Sequence, residues 1–108
     1  MFILFDQGTP LPLRKHLLGH TVVSAFEKDW GELENGELLA AAEAEGFDAL
    51  ITTDQNLRYQ QNLSERSLAV IVLLTTTWPR IEINVSLVLA AISNISACRY
   101  IEISFPDD

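Results

Sequence analysis

The sequence predicts one α/β domain over residues 1–108: a three-layer α/β/α arrangement around a mostly parallel five-stranded sheet, in the order 2-1-3-4-5. Three observations predict it. Five short apolar runs alternate with helical or loop segments, the rhythm of parallel strands joined by right-handed crossovers. The early runs are continuous rather than alternating, as strands covered on both faces require. The chain is 108 residues long, 48% apolar and 20% charged, which leaves room for one domain and no more.

Each element can be justified in order. Phe2-Ile3-Leu4-Phe5 is an apolar run stopped by Asp6-Gln7-Gly8, and it reads as the first strand. Thr9 as N-cap, Pro10 at the first helical position, Leu11, Leu13, Leu17 and Leu18 on the apolar side, and Gly19 as terminator together predict a helix. Thr21 to Ser24 is a short second strand. The stretch from Ala25 to Glu34 carries no clear pattern, with Trp30 and Leu33 as anchors of a loop or a helical turn. Glu37 to Glu45 is a strong helix former stopped by Gly46. Ala49 to Thr53 is the third strand, Gln55 to Leu63 a short helix and Ala69 to Leu74 the fourth strand. After Trp78-Pro79, the apolar spacing at Val85, Leu87 to Leu89, Ile92 and Ile95 predicts a buried helix over Ile81 to Ser96. Tyr100 to Phe105 alternates and closes the sheet as an exposed edge, which a homodimer would cover.

Charge and cysteine content narrow the function classes. Seven Lys and Arg against fifteen Asp and Glu give a net charge of −8 with no basic stripe. Unassisted binding to a phosphate backbone is disfavoured, whereas a divalent cation or a basic partner suits such a surface. The lone cysteine, Cys98, excludes an intramolecular disulfide and a cysteine-rich zinc site. No targeting segment is expected, because MFILFDQG lacks a basic n-region, and no apolar run is long enough to span a bilayer. A cytoplasmic location without membrane attachment is the expectation.

In open parallel sheets, ligands bind beyond the carboxyl ends of the strands where the strand order reverses. Asp6 follows the first strand and Asp54 the third, which are neighbours at that reversal. Glu37 opens the helix that runs back along the sheet, so it starts from the same edge. Three carboxylates within ~4 Å repel by up to ~4 kcal/mol per pair at an effective dielectric near 20. A shared cation or a retained proton relieves this, and an all-oxygen ligand set suits Mg²⁺ or Mn²⁺. If the three converge without a cation, Asp6→Asn should stabilise the protein.

Structural roles compete at each position. Asp54 fits equally as N-cap of the helix beginning at Gln55, and Glu37 suits a helix first turn whatever its function. Asp6 lacks such a role once Thr9 caps. His16 and His20 fall at the wrong edge, and Cys98 has no histidine placed to activate it. Thr75, Thr76 and Thr77 lie at the productive edge after the fourth strand. The loop Asp6 to Pro10 has one glycine and a leading negative charge, so it does not match a phosphate cradle.

With FDQG, NGELL and LITTDQNLRYQ in place, the chain resembles, over essentially its whole length, the short PIN-like proteins related to PIN-domain ribonucleases such as the VapC toxins. That resemblance implies a metal-dependent endoribonuclease, often a toxin paired with an antitoxin protein, in which clustered acids hold Mg²⁺ or Mn²⁺. On matching positions it implies Asp6, Glu37 and Asp54 as catalytic and metal-binding residues. RNA would be the substrate. Gln7, Asn56, Arg58 and Thr75 would contact it, Tyr59 would help line the site, and Arg14, Lys15 and Arg80 would steer phosphate. Two departures matter. Asn35 is neutral where relatives often carry Asp, and threonines stand after the fourth strand where fuller relatives add an acid. Both imply one metal rather than two, and a slow or inactive nuclease. A non-catalytic interaction module for a small basic partner is therefore the alternative.

Overall fold

The computed structural model describes residues 1–60, 62–63 and 66–106, the side chains of Arg58 and Gln60 excepted. Strands β1 (Phe2–Phe5), β2 (Thr21–Ser24), β3 (Ala49–Thr52), β4 (Ala69–Leu73) and β5 (Tyr100–Ile103) form one sheet in the order β2-β1-β3-β4-β5. Every pairing is parallel. Among the described residues, a 3-10 helix (Leu11–His16) and four α-helices fill the crossovers: α1 (Asn35–Ala44), α2 (Leu57–Gln60), α3 (Trp78–Glu82) and α4 (Val85–Ser93).

Alternate strand residues feed two cores, which is why the central strands β1, β3 and β4 read as near-continuous apolar runs. On one face Ile3, Phe5, Ile51, Ile71 and Leu73 pack with Leu13, Leu17, Ile81, Val88 and Ile92. On the other, Leu4, Leu50, Val70 and Val72 pack with Leu38, Leu39, Ala42 and Leu57. Phe2 stacks on Phe47 at 3.9 Å between ring centroids and closes the lower end of the second core. Burying a side chain such as Ile51 contributes about 1.5–3 kcal/mol.

Several boundaries differ from the sequence expectation, for identifiable reasons. The first helix is 3-10, with Leu13 N donating to Pro10 O at 3.1 Å and Leu17 N to Arg14 O at 3.2 Å. Pro10 and Pro12 stand at its N-cap and first turn, where a helix leaves the N–H groups unpaired in any case, so they permit the start of the helix without dictating its 3-10 form. Thr9 does not cap it; its buried hydroxyl donates to Ile51 O at 2.8 Å. The single helix expected over Ile81 to Ser96 is two, α3 and α4, broken at Asn84. There the Asn84 Nδ2 donates to Arg80 O at 2.9 Å, a side chain competing with the helical backbone. The helix expected from Gln55 to Leu63 is the shorter α2, and residues 61, 64 and 65 lie outside the described set. Helix α1 starts two residues earlier than expected and ends where Gly46 adopts a φ of 83°.

The unpatterned stretch after β2 is a chain of turns. Ser24 N donates to Glu27 Oε1 at 2.9 Å, and Glu27 N donates to Ser24 Oγ at 3.1 Å. Trp30 N then returns to Ala25 O at 2.8 Å. Among the described residues no helix is long and apolar enough to cross a membrane.

Candidate functional site

The order β2-β1-β3-β4-β5 reverses between β1 and β3, and Asp6 and Asp54 stand just past the ends of these two strands. The ladder between them continues one step beyond the sheet, with Asp6 N donating to Ile51 O at 3.0 Å. The turn from Asp6 to Thr9 closes by Thr9 N to Asp6 O at 3.0 Å. It packs so tightly on the end of β3 that a Cβ at Gly8 would sit 2.6 Å from Thr53 Oγ1.

Thr52 joins the two acids. Its side chain is fully buried, and its hydroxyl donates to Asp6 Oδ2 at 2.7 Å. The same oxygen accepts from Asp54 N at 3.0 Å. Asp6 Oδ1 accepts from Gln7 N at 2.7 Å. Asp54 Oδ1 accepts from Asn56 N at 3.0 Å, and Asp54 Oδ2 accepts from Asn35 Nδ2 at 3.0 Å. Each of these carboxylate oxygens therefore accepts one hydrogen bond and keeps a second acceptor direction. Both aspartates are half-buried.

Asp54 does not N-cap a helix beginning at Gln55, because α2 begins at Leu57; its Oδ1 instead closes a turn onto Asn56 N, and it shares the edge with Asp6. Glu37 is placed differently from the expectation. It is exposed, and its Oε1 accepts from Glu34 N at 3.0 Å, as in a capping box at the start of α1. Among the described residues no group of three or more His, Cys, Asp or Glu side chains is placed to hold a metal ion. What remains at the edge is an all-oxygen pair, Asp6 and Asp54. Such a pair fits Mg²⁺ or Mn²⁺, which keep several waters and bind through one or two carboxylates.

The other expected residues are dispersed along the same edge. Gln7 is exposed and lines a cleft of about 420 Å³ with Phe26, Asp29, Gly31 and Glu32. Asn56 is exposed, with its backbone engaged by Asp54. Thr75 is half-buried, and its Oγ1 accepts from Thr77 N at 3.2 Å. The Arg58 side chain lies outside the described residues. Arg14 forks its guanidinium onto Glu27, with Nη2 2.5 Å from Oε1. That hydrogen bond, followed by the one from Ser24 N, pulls Glu27 from an ordinary 4.5 down to about 2.

Two partners of the aspartates were not assigned from sequence. Thr52 lies within LITTDQNLRYQ, where strand periodicity fixes only which face it occupies. Asn35 appeared as a departure from an acid, whereas its amide supplies a hydrogen bond to Asp54. The Ser24–Glu27 pairing did have a signal, the S-x-x-E spacing after a strand. No protein-family model, curated protein or solved structure matches the chain.

Proposed function

We propose that the protein is a metal-dependent endoribonuclease of the PIN-like type, with Asp6 and Asp54 holding one Mg²⁺ or Mn²⁺. The observation that carries this reading is the tie through Thr52 between two aspartates at the point where strand order reverses. A bound divalent ion would supply charge neutralisation at the phosphodiester and a more acidic water for in-line attack. Asp6 and Asp54 would orient that centre, because their carboxylates are fixed by Thr52, Asn35 and the Gln7 and Asn56 amides. Glu37 would act from the first turn of α1 as a capping residue with a secondary influence on the site. Gln7, Asn56 and Thr75 would contact RNA, and the exposed Lys15 would help offset the net charge of −8. A cytoplasmic location, an antitoxin partner and a homodimer across the β5 edge belong to the same reading.

The test is cleavage of a fluorescent single-stranded RNA by purified protein with Mn²⁺. Wild type should cut and Asp6→Asn should not; equal cutting by both would overturn the assignment.

A second reading is favoured by specific observations. Asn35 donates to Asp54 where a further acid would add a ligand, and Glu37 is engaged with its own helix. On this reading the fold is a non-catalytic module that binds a small basic protein encoded nearby. It expects no metal-dependent cleavage and a stable complex with that partner on co-expression.

A further inference from the structure

The turn between β2 and α1 projects Phe26 into solvent at 77% exposure, between two clefts that it lines on either side. This projection is built rather than frayed. The reciprocal Ser24–Glu27 bonds hold its base, and Asp29 N to Phe26 O at 3.0 Å closes it. Asp29 takes the left-handed φ of 61° that the turn requires.

The two clefts differ in charge. One, about 420 Å³, is lined by Gln7, Asp29, Gly31 and Glu32. Among the described residues neither the Asp29 nor the Glu32 carboxylate has a hydrogen-bond or ion-pair partner. The nearest cation in sequence, Lys28, is held by Glu45 at 3.1 Å and lies over the Trp30 ring at 5.2 Å. The other cleft, about 340 Å³, is lined by Leu11, Phe26 and Lys15, while Arg14 and Glu27, which also line it, neutralise each other. One side of Phe26 is therefore acidic, and the other is apolar with a positive rim.

We infer that this surface docks an extended segment of a partner protein, with a lysine or arginine in the Asp29–Glu32 cleft and an apolar side chain two residues away against Leu11. Side chains at i and i+2 of an extended chain point the same way about 7 Å apart, so the pair straddles one aromatic ring. Lys15 repels a basic residue from the apolar cleft and so fixes which end goes where. An exposed aromatic on a rigid turn between pockets has the form of a binding hot spot. The surface deepens the second reading above and rests on it for the existence of a partner.

The probes are two capped octapeptides in a serine–glycine background, one with Leu-Ser-Arg and one with Arg-Ser-Leu, titrated into the ¹⁵N-labelled full chain. At least one should shift the amides of Phe26, Asp29, Gly31 and Glu32 selectively. Phe26→Ala, and separately Asp29→Asn with Glu32→Gln, should weaken it by about tenfold or more. Phe26 is exposed, so an unchanged melting temperature should confirm that its variant is folded. Selective binding that disappears when the leucine or the arginine of the peptide is replaced by serine supports the surface. Shifts spread over the acidic exterior, or binding indifferent to Phe26→Ala, overturn it. Co-purification with the neighbouring basic protein separates the two claims: a complex unaffected by Phe26→Ala overturns this surface and leaves the partner-binding reading intact.

Discussion

The Thr52 hydroxyl donates to Asp6 Oδ2 at 2.7 Å, and the oxygen that makes this bond also receives the Asp54 amide at 3.0 Å. One buried side chain thus sets the orientation of one acid and the backbone of the other. Thr52→Val keeps the shape and removes both bonds, leaving the Asp54 N–H without its partner. Urea denaturation should report a loss of about 1–3 kcal/mol, with Thr52→Ser retaining most of it.

Metal binding should respond to Asp6 directly. Mn²⁺ at a hundredfold excess over its Kd should stabilise wild type by about 2.7 kcal/mol through mass action. Differential scanning fluorimetry should show that shift in wild type and almost none in Asp6→Asn. A shift of equal size in both would place the ion elsewhere. Without metal, the stabilisation expected of Asp6→Asn under convergence of three carboxylates is reversed in sign. Both Asp6 oxygens accept hydrogen bonds, and the amide that replaces one of them is a donor. A loss of about 1 kcal/mol is expected instead.

Glu27 gives a pH signature. Its folded pKa lies near 2 against an ordinary 4.5, chiefly because of the Arg14 hydrogen bond. A depressed carboxylate contributes stability that is complete above the unfolded value and disappears as pH falls through the folded one. Wild type should lose this contribution between about pH 4.5 and 2, while Arg14→Gln should show a much smaller loss over that window. Carboxyl-carbon NMR of Glu27 in the two proteins reads the two midpoints.

Gly8 tests the close approach of the site loop to β3. Gly8→Ala places a Cβ 2.6 Å from Thr53 Oγ1, and overpacking of this kind costs about 1–3 kcal/mol. Adding Thr53→Ala removes the obstructing atom, so the double variant should recover much of the loss. An additive pair would mean that the two positions do not touch.

The sheet was legible because burial on both faces writes itself as unbroken runs such as Phe2 to Phe5, which stops at Asp6, and Ala49 to Thr52, which is followed closely by Asp54. Strand order then set Asp6 and Asp54 on neighbouring strands. Less legible were features decided by single side chains competing with backbone. Asn84 breaks a helix whose apolar spacing continues across it, and the Thr9 hydroxyl expected as a cap bonds Ile51 O instead. Glu37 shows the same ambiguity at the site. A glutamate at the third helical position has a partner in its own helix before it meets anything else. Asn35 has no sequence signal for its partner, and only its contact with Asp54 reveals the amide as a donor.

The ladder bond from Asp6 to Ile51 makes the spacing of the two acids a property of strand register rather than of loop conformation. The Phe26 turn supplies none of the hydrogen bonds to either carboxylate, so it can change length with the pair left in place, whereas the turns that hold Gln7 and Asn56 cannot. A one-residue insertion inside β1 or β3 is different. It turns one aspartate to the opposite face and separates the pair in a single step. Deep insertion–deletion scanning should consequently find tolerance within the Phe26 turn and near-complete intolerance within these two strands.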